Sequence, residues 1–116
     1  MNNLDKSKKA YLETYIFFGL ANLNNGFDVG TIKYFSEEEF EIVLHRVKEF
    51  GWGIMGIEPW KNGEFYDVRT CEEFKKSPED ESWYRQAFEE FKSRGVTLQY
   101  SASYYLPKSL LIQEDN

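Results

Sequence analysis

Apolar positions along this chain repeat with two different periods, and the changes of period mark out its elements. From Phe40 onward the apolar residues Phe40, Val43, Leu44, Val47 and Phe50 recur at helical spacing, and Gly51 stands where a C′ glycine ends a helix. The helix start is signalled by Ser36-Glu37-Glu38-Glu39. This is a capping box in which the Ser36 hydroxyl and the Glu39 carboxylate can satisfy each other's backbone N–H groups. Phe35 and Phe40 occupy the two positions of a hydrophobic staple around it. A second helix is predicted from Ser77-Pro78-Glu79-Asp80, with serine as cap, proline in the first turn and acids facing the helix dipole. Tyr84, Ala87, Phe88 and Phe91 form its apolar stripe, and Gly95 closes it. Thr70-Cys71-Glu72-Glu73 repeats the capping-box pattern and predicts a short helical turn before Ser77.

Elsewhere the period is closer to two. Trp52–Pro59 and Glu64–Thr70 read as strands joined through Asn62-Gly63, a pair that accepts positive φ at both central positions of a type I′ turn. Val96–Leu106 is rich in β-branched and aromatic residues and stops at Pro107. Phe27–Phe35 reads as a further strand leading into the first helix. Tyr11–Leu23 fits two patterns. Leu12, Tyr15, Ile16, Leu20 and Leu23 share one helical face, whereas Tyr15-Ile16-Phe17-Phe18 suits a buried strand. Asn25-Gly26 would then be a helix C-cap or a hairpin turn, respectively. With the strand preferred, the order is β-β-α-β-β-α-β. The expected fold class is α+β, with two helices packed on one face of a mostly antiparallel sheet: a ferredoxin-like split unit with an extra N-terminal strand. A single domain over residues 1–116 is expected, loosely held at about 1–9 and 112–116.

Composition narrows the function classes. Aromatic residues are 18% of a chain that has one histidine (His45) and one cysteine (Cys71). That is a good inventory for binding and a poor one for catalysis or zinc ligation, so no cofactor and no metal are expected. A lone cysteine excludes an intramolecular disulfide. Met1–Asp5 lacks the basic and apolar regions of a secretory signal, and no apolar run reaches the length of a membrane span, so a cytoplasmic location is expected. Three lysines against Asp5 give residues 1–10 a net +2, leaving −8 on the rest of a chain at −6. Acidity of this size repels nucleic acid and steers basic partners.

The hairpin is the most unusual local feature. A two-residue Asn62-Gly63 turn sets Lys61 opposite Glu64, Trp60 opposite Phe65 and Glu58 opposite Asp67. Glu58, Trp60, Phe65 and Asp67 would share one face, with two carboxylates directly opposed, which is destabilising without a compensating role. Three readings are open: Arg69 neutralises the pair, the face is an acidic and aromatic contact patch, or the two carboxylates form a proton-sharing dyad. Trp83, about 100° from the core stripe of its helix, and Tyr105, on the opposite strand face from Tyr100, Ala102 and Tyr104, are companion contact residues.

Other candidates have plainer readings. His45 lies within four residues of Glu41 and Glu49, an exposed helix-surface contact. Cys71 reads as a buried structural thiol. Asn22–Asp28 lacks the alternating ligands of a calcium loop. Gly51, Gly53 and Gly56 form no phosphate-binding fingerprint and instead permit close approach of another element to the sheet.

In size, acidity, lone-domain architecture and aromatic content the chain resembles small immunity proteins of contact-dependent bacterial toxin systems. The resemblance is one of general character and assigns no residue roles. It implies a cytoplasmic, non-enzymatic protein, monomer or homodimer, that neutralises a basic toxin, often a nuclease, in a one-to-one complex. Glu58, Trp60, Glu64, Phe65, Asp67, Trp83 and Tyr105 are the expected contact residues. Two alternatives are open: a ferredoxin-like ligand-binding or regulatory homodimer, and a hydrolase using Glu58 and Asp67.

Overall fold

A nine-residue strand, β1 (Gly53–Lys61), forms the centre of the fold. The computed structural model describes residues 3–107. Along one edge of β1 runs β4 (Gln99–Tyr105), antiparallel. Along the other runs the returning arm of the hairpin, split into β2 (Glu64–Phe65) and β3 (Arg69–Thr70). The α+β class with an antiparallel sheet is therefore as expected.

Three helices, not two, are found among the described residues: α1 (Asn3–Tyr11), α2 (Glu37–Glu49) and α3 (Glu81–Lys92). α1 continues directly into a π-helical turn, Leu12–Ile16. The N-terminal segment preferred as a strand is thus helical, and residues 3–9, expected to be loose, form part of α1. The expectation for 112–116 lies outside the described residues. Packing explains why the helix wins here. Ile16 is fully buried, and Tyr11 and Tyr15 lie against Trp52 and Phe50 at centroid distances of 5.1 and 5.4 Å. The end of the turn is held by Arg46 of α2, whose Nη1 donates to the carbonyls of Ile16 (3.1 Å) and Phe18 (2.7 Å). A cation placed on terminal carbonyls is favourable, and no sequence window contains that partner.

Phe27–Phe35, expected as a strand, is a loop that touches the sheet through one bridge, Phe35 to Tyr100. The strand order also departs from a split unit of ferredoxin type. There the second and last strands lie at opposite edges, whereas here β1 and β4 are adjacent.

The helix boundaries follow local chemistry. Ser36 Oγ accepts from the Glu39 amide at 3.2 Å, but the Glu39 carboxylate turns away to accept from Ala21 N at 2.7 Å, so half of the expected box forms. The reciprocal box appears at Thr70 and Glu73 instead, with bonds of 2.9 and 3.3 Å, where it organises a turn. α2 ends as predicted. Gly51 takes φ +77°, and Trp52 N and Gly51 N bond Val47 O and Lys48 O, the two closures of a Schellman motif. α3 starts three residues later than expected, because Asp80, not Ser77, accepts from the Ser82 amide.

A bulge determines which way β1 faces. The pairing shifts between Ile54–Tyr104 and Gly56–Ser103, leaving Met55 as the extra residue. Without it Ile54 and Ile57 would point to opposite faces; with it both enter the core under the helices. On this face Tyr100 stacks on Phe40 at 5.2 Å and meets Phe88 edge-on at 5.1 Å. The staple residues Phe35 and Phe40 are both buried here. Gly53 has a steric role. A Cβ there would lie 2.7 Å from the Pro78 carbonyl, and that same carbonyl, in the turn before α3, accepts from Ile54 N at 2.9 Å.

Candidate functional site

The hairpin begins in the expected register. Trp60 pairs with Phe65 and Lys61 with Glu64, and Asn62 and Gly63 both have positive φ. It then departs from it. Pro59 O accepts from both Tyr66 N (3.1 Å) and Asp67 N (3.3 Å), so two residues face one. Beyond this bulge Ile57 pairs with Arg69 rather than Val68. Pro59 supplies the cause. A strand residue points its N–H and C=O to the same edge, and Pro59 has no N–H to offer the returning arm.

The bulge removes the Glu58–Asp67 juxtaposition expected from the sequence. Asp67 turns toward the turn that follows α3, where its carboxylate accepts from Arg94 Nη1 at 2.9 Å. Arg69, the expected neutraliser, is engaged by Glu90 and by Glu73, the latter at 3.5 Å. Burial alone would raise the Asp67 carboxyl. The Arg94 hydrogen bond, the Val68 amide and the charges of Arg94 and Arg69 outweigh it and hold the group below the ordinary aspartate value. A proton-sharing dyad needs its two carboxyls side by side, and the bulge that turns Asp67 to Arg94 takes away that geometry for a Glu58/Asp67 acid–base pair.

Glu58 remains on the face opposite the helices, with a different set of neighbours. Its Oε2 accepts from Trp60 Nε1 at 2.8 Å. The Trp60 ring packs against Phe27 (5.7 Å) and Tyr34 (5.5 Å), and Phe27 meets Tyr34 at 4.9 Å. Tyr34 donates its hydroxyl to Asp28 Oδ2 at 2.6 Å. Burial, the Asp28 hydrogen bond and the Asp28 and Glu58 charges push this hydroxyl far above the ordinary tyrosine value, against an opposing bond with Ser101. Two carboxylates therefore flank one buried phenol.

The loop that delivers Phe27, Asp28 and Tyr34 is built by asparagine side chains. Asn24 Nδ2 donates to Val29 O and Ile32 O at 2.9 Å each, and Asn24 Oδ1 accepts from Gly26 N at 3.1 Å. Asn22 Oδ1 accepts from Tyr34 N at 2.9 Å, and Leu23 N bonds Tyr34 O at 2.8 Å, bringing the loop ends together. This is the construction of an Ω-loop. The Phe27 side chain rests on Gly63 of the hairpin turn, where a Cβ would come within 3.1 Å of its Cβ and 3.3 Å of its ring.

The other expected contact residues separate. Phe65 is 57% exposed beside Trp60 and is the apolar group this face offers outward, because Trp60 is half covered by the loop. Glu64 is exposed, but with Lys61 it points to the opposite side of the hairpin. Trp83 is 1% exposed, packed on Phe74 at 5.6 Å, and belongs to the core; the turn over Cys71–Lys76 closes the helix flank that looked open from the sequence. Tyr105 is half-buried opposite Gly53, at the far end of β4 from Trp60, which pairs with Gln99. Six strand steps, about 20 Å, separate them. His45 is exposed, and Glu41 is taken by Arg85 rather than by His45. Cys71 is buried.

Phe27, Asp28 and Tyr34 were missed by sequence reasoning. The signal for them was present in Asn22, Asn24 and Asn25-Gly26, residues that favour side-chain-organised turns over strands. Among the described residues no three His, Cys, Asp or Glu side chains converge in a metal-ligating group, and no helix is long and apolar enough to cross a membrane. Comparisons with protein-family models, with curated proteins and with solved structures find no match to this chain.

Proposed function

We infer that the chain is a binding protein for a cationic protein partner, and that it acts as an immunity-type inhibitor of a basic toxin in a one-to-one cytoplasmic complex. The observation that carries this reading is the face formed by Asp28, Tyr34, Glu58, Trp60 and Phe65. On it carboxylates are held by aromatic donors beside an exposed phenylalanine. Orienting Glu58 and Asp28 with Trp60 N–H and Tyr34 O–H presents negative charge from fixed positions at reduced entropic cost. A lysine or arginine arriving there gains charge attraction and aromatic contact together. The net charge of −6 steers such a partner, and Phe65 slows its departure.

The test is co-expression with the toxin encoded beside this chain's gene. Growth rescue and a one-to-one complex are expected, and Phe65→Ala should weaken binding about 30-fold, as for an interface anchor. Failure of rescue with every adjacent toxin overturns the reading.

A second reading, a homodimer through the open sheet face, draws on a groove of about 530 Å³ beside Met55, Gly56, Val68 and Ser103, with Met55 and Val68 exposed. Sizing of the isolated protein separates the two readings, because a dimer runs at twice the monomer mass.

A further inference from the structure

The junction between α1 and the π-helical turn carries a second site of opposite charge to the hairpin face. A cleft of about 370 Å³ is lined by Lys8 and Lys9 from α1, Leu12 and Glu13 from the π turn, Phe17 after it, and Lys33 from the loop. Leu12 and Phe17 give it an apolar floor, and three lysines against one glutamate give it a positive rim. That polarity extends the local +2 of residues 1–10 and is opposite to the net charge of −6 of the chain. Lys33 Nζ stands 3.6 Å from Glu13 Oε1, so the single acid holds one of the three cations in place.

The cleft does not end there. A neighbouring hollow of about 260 Å³ shares Glu13, Phe17 and Lys33 with it and runs past Phe18 and Leu20. Phe18 is 72% exposed, the largest value among the exposed apolar side chains of the described residues. Neither the sheet core nor the hairpin face uses it. π-Helical turns are rare and often sit at functional sites. Here the turn ends beside Phe17 and Phe18, with the Ile16 and Phe18 carbonyls tied down by Arg46.

We propose that this cleft binds a small amphipathic anion, with a carboxylate or phosphate head between Lys8, Lys9 and Lys33 and an apolar body lying over Leu12 and Phe17 toward Phe18. Its volume falls within the span of small-molecule sites, and few polar groups on an apolar floor is the usual composition of such sites. Glu13 competes with the ligand head for Lys33, so this one carboxylate opposes binding.

The probes are decanoate and decyl phosphate as monomers, with decanol as the uncharged control and inorganic phosphate as the headgroup alone, titrated calorimetrically against the full chain. Either amphiphile should bind one-to-one, and the two arms distinguish a carboxylate head from a phosphate head. Decanol and inorganic phosphate should each bind at least about tenfold more weakly than the better amphiphile, since each lacks one half of the recognition. Each of Lys8→Gln, Lys9→Gln and Lys33→Gln should weaken binding about two- to fivefold, as expected for one partly screened charge. Phe18→Ser should weaken the decyl compounds while leaving the fold intact, because its ring is largely in solvent. Glu13→Gln should tighten binding by a similar factor, an opposite sign that general loss of structure cannot produce. The proposal is overturned if decanol binds as well as decanoate and decyl phosphate, if neither amphiphile binds, or if Glu13→Gln weakens binding. It is also overturned if only anionic phospholipid vesicles bind, because the surface would then be a membrane contact and not a ligand cleft.

Discussion

The two faces of the central sheet are closed by different means. Under the helices, Phe40, Val43, Leu44 and Val47 of α2 and Tyr84, Ala87, Phe88 and Phe91 of α3 meet Ile54, Ile57 and Tyr100 in a continuous buried layer. On the opposite face, among the described residues, no helix lies over Glu58, Trp60, Ser101 and Ser103. Part of that face is covered by the Asn22–Tyr34 loop, whose shape comes from hydrogen bonds of two asparagine side chains. The remainder stays open, with Phe65, Met55 and Val68 exposed. The first face is held by apolar area, and the second by polar groups that fix a few aromatics. A surface built in the second way can present charge and rings outward without putting the fold at risk, and the candidate binding face lies there.

The largest expected effect lies on the helix side. Phe88 is fully buried and contacts both Phe40 and Tyr100, at 5.4 and 5.1 Å. Phe88→Ala should cost about 3–5 kcal/mol through lost burial and the cavity left behind. Against a typical domain stability of about 5–15 kcal/mol, that is enough to bring the chain near its unfolding threshold. Denaturant midpoints measure it, and the whole sheet should be lost in a single transition. A loss under about 1 kcal/mol would mean that the helix layer is not what holds the sheet.

Asn24→Ala tests the other side and should behave differently in kind. It removes five side-chain hydrogen bonds to the loop backbone. Most are reached by solvent, so about 1–2 kcal/mol is the expected loss. It should appear as faster amide exchange confined to residues 26–34, with the global midpoint nearly unchanged, because the loop can open without the helix layer. If local and global stability fall together, the two faces are one cooperative unit and the contrast between them fails.

The same contrast explains what was legible in the sequence. The helix face was largely readable because its signals are local: period, staple, C′ glycine and the Asn62-Gly63 turn all lie within a few residues of what they specify. The errors occurred where a distant group decides. Tyr11–Ile16 is helical because Ile16 is buried and Arg46, thirty residues away, takes the carbonyls at its end. Trp83 is in the core because the Cys71–Lys76 turn folds over it. Phe27, Asp28 and Tyr34 reach the candidate site through a loop whose contacts with Trp60 reach across the whole of α2, which periodicity cannot register. The hairpin error is different in character. Pro59 was visible in the sequence, and a proline whose missing N–H faces a partner strand is itself a bulge signal.

That bulge yields the smallest and most specific of these effects. Asp67 and Arg94 are each more than a third exposed, so their bond at 2.9 Å behaves as a surface pair, and Asp67→Asn should cost only about 0.2–1 kcal/mol near neutral pH. Its pH dependence carries more information than its size. The Asp67 carboxyl is held below its ordinary value when folded, so its contribution to stability is fully present above the ordinary aspartate range. That contribution declines as the pH falls through the folded value. The stability difference between wild type and Asp67→Asn should therefore be constant from neutrality down to about pH 5 and vanish in stronger acid. A carboxylate dyad with Glu58 predicts the opposite sign. One carboxyl would then titrate above its ordinary value, and removing a charge at position 67 would stabilise the hairpin at neutral pH by relieving repulsion. Urea midpoints of the two proteins across this range decide whether the carboxylate at position 67 is anchored to Arg94 or opposed to Glu58.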